Sequence, residues 1–456
     1  NWMCRNVSYD DFVVKVMKYD ASPPKTSSLN PSLFIAFEHV RKMLRLPNKV
    51  SVHSIHKFKP ESTSSGAPLF AKSNDPEVER FNKDLAFKVC LQIQHNHNLT
   101  YDQLLSTGLV QPTALFGAPD VGTKPTVRMT WCHPKSITLI ESMFSGYWEK
   151  IQKLVLCRKY PFAIGPKCNA TARQFVNSHS SVQSIDLISG DSQIYPLLIR
   201  MAFSIMRENI DFEMLDDKFL PEKKFVFQNI FDFMVKYNID TPFVFNGHQY
   251  NCRTGIKSGS LHTNSVFSII SVIISVFLGI ELDHTLLTNE DILVCGDDNI
   301  RKIYSQYDLE QVQKSLDSIC IKIHDEPKSQ TSFNRLKHST IKFLSSNYST
   351  PFKLIRNTNE WFARFLFPSR FYKHYEQVVA RGFMLDMAVN YSDREFHSFI
   401  SMCSRLNLKQ SRVLESDPRI RRYYKYVLGL PDPLSDSTYG DILKSWKNIT
   451  NFINSL

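Results

Sequence analysis

The chain predicts an α+β fold, with a small antiparallel sheet among helices and a mostly helical region after it. Three observations carry that expectation. From about 186 to 350, short strand-like runs alternate with helical stretches. A hairpin is written around Gly296-Asp297-Asp298-Asn299, and beyond about 350 the spacing turns helical and basic, as in Arg419 to Tyr426.

Taken in order, residues before about 185 are mixed and rich in basic side chains, with turn clusters at Ser22-Pro23-Pro24 and from Glu61 to Pro68. Val182 to Ile185 is strand-like. Ile194 to Ile210 is helical, with Pro196 tolerable in a first turn, where its missing N–H costs no bond. A helix from about Leu261 to Leu278 is expected to stop at Gly279. Ile292 to Cys295 and Ile300 to Tyr304 flank the hairpin turn, Leu309 to Ile319 is helical, and Ile341 to Leu344 is a short strand. Val266 to Ile280 is apolar enough to need a membrane check, but Ser268, Ser271 and Ser275 interrupt it. With Asn264 they are spaced 4, 3 and 4 apart, which places them on one helical stripe. A buried core helix with one small polar seam is expected, and no membrane partner.

The chain has 456 residues, too many for one small module. Hydrophobic residues at 43% and charged residues at 22% exclude a disordered or collagen-like chain. With 55 Lys+Arg against 44 Asp+Glu, the net charge of +11 suits a phosphate-bearing partner, although a merely basic soluble protein has the same balance. The 9 cysteines form no CxxC pair and are odd in number, which favours a reducing compartment over a disulfide framework. Gln94-His95-Asn96-His97-Asn98 reads as a polar loop rather than a metal site. Asn1 to Tyr19 lacks the long apolar core of a signal peptide.

Adjacent aspartates at a hairpin tip repel, and a divalent cation removes that cost. Gly296-Asp297-Asp298 alone is a weak signal that an exposed turn would also produce. Asp186 strengthens it, because it follows a strand-like run and can sit beside the hairpin, while Asp191 points from the next turn toward the same cleft. Two-metal nucleotidyl transfer needs carboxylates from separate strands, with magnesium as the fitting all-oxygen-ligated ion and manganese as its substitute. Between these elements, Gly255 to Asn264 holds Ser258-Gly259 at the opening of a helix. Such a loop lets a sugar-phosphate approach its backbone, although an ordinary N-cap uses the same residues.

Asp186…Asp191, then Ser258-Gly259…Thr263-Asn264, then Gly296-Asp297-Asp298 resembles the palm of viral RNA-dependent RNA polymerases. The likeness is to enzymes of small double-stranded RNA viruses of the partitivirus and picobirnavirus type. In that family's terms, Asp186 and Asp191 match motif A, Gly255 to Ser271 looks like motif B and Gly296-Asp297-Asp298 like motif C. Lys124 to Trp131, followed by Pro134, Thr138 and Glu141, is similar to motif F. Ser64-Ser65-Gly66-Ala67-Pro68 is similar to the template-guiding loop. Glu326-Pro327-Lys328-Ser329 looks like motif D, and Lys342-Phe343-Leu344 like motif E. The likeness spans about residues 60 to 350.

The resemblance implies a right-hand polymerase: an N-terminal region and fingers over 1–185, palm over 186–210, a fingers insertion over 211–250, palm again over 251–350, and a helical thumb over 351–456. Asp186 and Asp297 are then the metal ligands, with Asp298 assisting. Asp191 accepts a bond from the ribose 2′-OH, and Ser258, Gly259, Thr263 and Asn264 shape the sugar pocket. Lys124 and Arg128 neutralise the triphosphate. Lys328 is a candidate general acid toward pyrophosphate, with a solvated surface charge as the alternative. Ser64, Ser65 and Gly66 bind template. The implied partners are RNA template and product, ribonucleoside triphosphates and viral capsid protein, in the host cytoplasm within the virion.

Several positions depart from the family pattern. Gly190 stands where an aromatic usually precedes the second motif A aspartate, and Phe267 where motif B commonly carries Asp or Asn. Lys257 replaces the Pro before Ser-Gly, Met129 the Pro after the motif F arginine, and Ser345 the motif E glycine. Three rivals remain: a reverse transcriptase, which Asp191 argues against; a non-catalytic RNA-binding protein of the same fold; and a two-metal nuclease.

Overall fold

The structure, a computed structural model, describes residues 3–4, 8–20, 22–58, 64–95, 100–119, 121–122, 127–155, 159–164, 168–215, 227–245, 247–326, 328–333, 340–343, 346–349, 353–355, 358–366, 382, 385 and 394–405. Lys124, Ser345 and the Arg419 to Tyr426 cluster lie outside them.

At the centre stands the helix Thr263–Asp283. Its run of Ile and Val is a poor intrinsic helix former, but it is apolar on nearly every side and buried throughout most of its length, so packing decides its conformation. The helix is long and apolar enough to cross a membrane, yet here its surface is covered by protein, including the helix Ser32–Met43. It does not stop at Gly279 as expected. A Cβ on that glycine would lie 2.7 Å from Leu287 Cγ, so Gly279 is a packing notch, and the helix ends at His284 in the left-handed region.

Against this helix lies an antiparallel four-stranded sheet in the order Ile292–Cys295, Asp298–Lys302, Val182–Ile185, Gln330–Ser332. The second hairpin strand begins at Asp298, two residues before the expected start. Cys295 pairs with Asp298, leaving Gly296-Asp297 as a two-residue turn with Gly296 at φ +63. A turn of that kind matches the twist of the flanking strands and needs glycine at its first position. Strand alternation then divides the side chains. Ile185, Ile292 and Val294 join the main core with the long helix. Val182, Leu293 and Ile300 face a second core of Ile341, Phe343, Trp361, Phe365 and Phe396.

A second sheet runs Val127–Cys132, Thr113–Pro119, Thr241–Phe245, His248–Cys252, so residues after 240 join strands from before 133. The helix Phe227–Ile239 leads into it. Pro196 does stand in the first turn of the helix Pro196–Glu208. Gln94 and His95 are not loop residues but end the helix Pro76–His95.

The hairpin is also pinned at its far end. Arg301, fully buried, donates to Asp283 Oδ2 at 2.8 Å, to Gln183 Oε1 at 2.8 Å and to the Tyr307 hydroxyl. Asp283 Oδ1 accepts the backbone N–H groups of Tyr304 and Ser305, each at 2.9 Å. A buried ion pair is costly to form, but losing one partner strands the other charge. Asp283→Ala is therefore expected to lower unfolding free energy by about 3–5 kcal/mol in denaturant titration; a loss below about 1 kcal/mol would contradict the pairing.

Candidate active site

The serine stripe of the long helix is what holds the hairpin tip. Ser268 Oγ accepts the Gly296 N–H at 2.9 Å, and the Ser271 hydroxyl donates to the Gly296 carbonyl at 2.7 Å. Asn299 Nδ2 donates to Ser275 Oγ at 2.6 Å and to the Ser271 carbonyl at 2.9 Å. Asn264, one turn earlier, stands beside the tip, its Oδ1 lying 3.3 Å from where a Gly296 Cβ would be.

The tip faces motif A. Ile185 pairs with Asn299, and continuing that register sets Asp186 level with Asp298 and next to Asp297. Asp297 keeps solvent contact, yet protein crowds its carboxylate, and desolvation pushes its pKa up. The negative charges of Asp186 and Asp191 push the same way, while Arg128 opposes them. Asp186 and Asp191, Asp297 and Arg128 thus share one cleft, drawn from three separate parts of the chain. Lys342 Nζ lies 3.2 Å from Asp186 Oδ2, a protein cation drawn into the acidic cleft.

The loop before the helix is bound to the segment resembling motif F. Ser258 Oγ accepts the Trp131 N–H at 3.1 Å, and any Cβ on Gly259 would collide with the Trp131 carbonyl. Thr263 spends its hydroxyl on the loop itself, donating to the carbonyls of Lys257 at 2.7 Å and Ser260 at 2.8 Å. Lys257 is fully buried and its ammonium meets four carbonyls, those of Asn238, Ile239, Thr254 and Gly255, at 3.0–3.2 Å. Where the family has proline to stiffen this position, a lysine ties the loop to the neighbouring helix end. Glu141, also buried, accepts from Ser260 Oγ at 2.6 Å, the Leu261 N–H at 2.8 Å and Asn238 Nδ2 at 2.9 Å.

Two departures from the family pattern explain each other. A Cβ on Gly190 would lie 3.0 Å from the ring of Phe267, so the aromatic absent from motif A is supplied by motif B.

Lys328 donates to His324 Nε2 at 3.2 Å, and the His324 backbone N–H donates to the Asp186 backbone carbonyl at 2.8 Å. Burial, then the Lys328 charge, holds the His324 pKa below its usual value, which suits the acceptor role. Ser65 and Gly66 pack where the strand Val127–Cys132 ends, and a Cβ on Gly66 would lie 2.7 Å from the His133 carbonyl. The Ser65 carbonyl accepts the Lys135 N–H at 2.8 Å, Gly66 takes φ +67 and Ser64 bridges to Lys72. Beside them Phe70 and Phe116 are exposed, with ring centroids 6.5 Å apart.

A family model described as viral RNA-dependent RNA polymerase matches residues 2–377. The chain belongs to that family. The polymerase is similar in structure to the RNA-dependent RNA polymerase of a human picobirnavirus, with TM-score 0.65 and 15% identity over 90% of this chain and 77% of that one. An insertion-loop deletion mutant of a human picobirnavirus polymerase gives TM-score 0.61 and 15% identity over 97% of this chain and 82% of that one. No curated protein sequence matches. The fold is thus the right-hand polymerase fold, the activity is RNA-directed RNA polymerisation, and the reverse transcriptase and nuclease readings fall away.

Viral RNA-dependent RNA polymerases use divalent metal ions, and the cleft of this polymerase fits one. Its carboxylates converge despite mutual repulsion, and a lysine ammonium already neutralises Asp186. Among the described residues no three His, Cys, Asp or Glu groups close on one point. An ion here would be held by Asp186 and Asp297 together with substrate oxygens, the usual habit of Mg²⁺.

Lys342 was read as part of motif E but given no role, and three residues at this site escaped sequence reading: His324, Asn299 and Tyr19, whose hydroxyl donates to Asp191 Oδ2 at 2.7 Å. Asn299 had a signal, since it follows the paired aspartates and lies opposite Ile185. The others come from distant segments and had none. The raised pKa of Asp297 sets a pH dependence, because a proton competes with a metal ion for the carboxylate. Mn²⁺ binding to the RNA-free polymerase, followed by calorimetry from neutral to acid pH, is expected to weaken as pH falls. The weakening should begin at a higher pH than an ordinary aspartate would give, and Asp297→Asn, which removes a ligand, should weaken binding across the whole pH range.

Proposed function

We propose that this polymerase copies the genome of a small double-stranded RNA virus, adding ribonucleotides to an RNA 3′-OH with release of pyrophosphate. The observation that carries the residue assignment is the convergence of Asp186, just past the end of one strand, and Asp297, in the turn before its neighbour, under the charge of Arg128. Asp186 and Asp297 hold the ions, and Asp298, at the start of the same strand, tunes them. Bound Mg²⁺, with Mn²⁺ as a substitute, supplies charge neutralisation at the attacking and leaving oxygens.

The chain's own groups do the rest. Arg128 reaches the cleft from the fingers sheet with the planar fork suited to a triphosphate, and Lys124 belongs to the same segment. Asp191 accepts the ribose 2′-OH. Asn264, exposed beside the hairpin tip, borders the sugar. Ser258, Gly259 and Thr263 shape that pocket through the bonds that set the loop. Lys328 stands near Asp186 through His324, in reach of a departing pyrophosphate. Ser64 to Gly66 guide the template, with Phe70 and Phe116 offering ring faces on which bases stack. Resemblance of the motifs to enzymes of small double-stranded RNA viruses supports work in the host cytoplasm inside the virion, beside capsid protein.

Asp297→Ala is expected to abolish incorporation of labelled NTP on an RNA template with Mg²⁺ while RNA binding persists. Full residual synthesis would refute the assignment. Arg128→Ala is expected to raise KM for NTP by about tenfold or more, the value of one charge-assisted contact. An unaltered KM would remove Arg128 from the nucleotide channel.

A further inference from the structure

We infer that Tyr19 is a positioning residue for sugar selection: its phenol fixes the Asp191 carboxylate so that the remaining lone pairs accept the 2′-OH of the incoming nucleotide. This rests on the ribose-reading role proposed for Asp191.

The Tyr19 hydroxyl takes Asp191 Oδ2 at 2.7 Å and is the sole side chain hydrogen-bonded to that carboxylate among the described residues. An ionised carboxylate has about four acceptor sites, so one donor orients it and leaves Oδ1 open to a ligand. Asp191 is solvent-exposed and lies in the short helix Gly190–Gln193, where among the described residues no other side-chain hydrogen bond holds its carboxylate. Tyr19, by contrast, is rigidly held. It is buried, its ring meets Trp131 edge-on at 5.1 Å, and its carbonyl accepts the Thr254 hydroxyl at 2.6 Å.

The backbone is shaped for this contact. Gly255 takes φ +77, and a Cβ there would lie 2.6 Å from both the Asp191 carbonyl and the Tyr19 ring. The Ile256 N–H donates to that same carbonyl at 2.6 Å, and Lys18 donates to Ser189 at 3.0 Å. At the motif B position where the family commonly carries Asp or Asn, the Phe267 ring has no donor to offer and fills the notch at Gly190. Trp131, against which Tyr19 packs, also donates its N–H to Ser258, so the orienting phenol and the sugar-side loop share one support. Burial, then the Asp191 charge, pushes the phenol pKa up, which keeps its proton in place.

The test compares the wild-type polymerase, Tyr19→Phe, Asp191→Ala and the double variant in single-nucleotide extension of an RNA primer–template. The readout is kcat/KM for a matched NTP and for its dNTP. Tyr19→Phe keeps the ring and its packing, so a structural role alone would move both values together. The expected result is a loss of NTP-over-dNTP preference of about tenfold, the low end for a hydrogen bond to a charged group. The dNTP value should stay unchanged, and the Asp191→Ala background should show no further loss. An unchanged preference in Tyr19→Phe, with a large loss in Asp191→Ala, overturns the role of Tyr19 and leaves Asp191 as the reader. An equal fall for NTP and dNTP, or an undiminished effect in the Asp191→Ala background, also overturns it. Unchanged preference in Asp191→Ala removes the ribose reading itself and Tyr19 with it.

Discussion

The geometry of this polymerase depends on one contact: the serine stripe of the helix Thr263–Asp283 gripping the backbone of the hairpin tip. Ser268 and Ser271 bond the N–H and carbonyl of Gly296, and Ser275 takes Asn299. The docking uses main-chain groups and one amide, so the two aspartates between Gly296 and Asn299 need not serve as anchors. It also answers a physical problem. Paired like charges destabilise a turn, and here two side-chain hydroxyls in a buried seam hold the turn in place. At the far end the Arg301–Asp283 pair fixes the same hairpin to the same helix, so tip and base are set together.

Around that frame the site is assembled by close backbone approach. Gly259 lets the loop before the helix lie on the Trp131 carbonyl, and Gly255 lets Asp191 and Tyr19 meet. Where family-typical residues are missing, contacts from elsewhere take their place. Phe267 fills the space of the aromatic absent at Gly190, and buried Lys257 ties down a loop that proline would otherwise stiffen. Substitutions that look like losses in a linear pattern are exchanges of volume or of hydrogen bonds in space.

Much of the palm was legible in the chain. Val182–Ile185 and Ile292–Cys295 show as short apolar runs, and Gly296 to Asn299 marks a turn, which closes to the two residues Gly296-Asp297 with glycine where positive φ requires it. The spacing of Asn264, Ser268, Ser271 and Ser275 marked a polar seam without showing what it would bind. Element ends were less legible, since the helix runs past Gly279 because Leu287 packs there, a contact no local pattern encodes. The role of Gly190 likewise depends on a ring from 77 positions away in the chain.

The sequence by itself determined the elements and the chemistry available: which runs become strands, which helix is buried, and which aspartates recur at motif spacing. Those properties follow from local sterics and the period of apolar residues, which act over a few neighbours. Only the tertiary structure decided which groups share the cleft. Arg128 acting on Asp297, Lys342 on Asp186 and Tyr19 on Asp191 join segments far apart along the chain. Their electrostatic and hydrogen-bond energies depend on distance and burial in space, and neither quantity exists until the long helix has brought the pieces together.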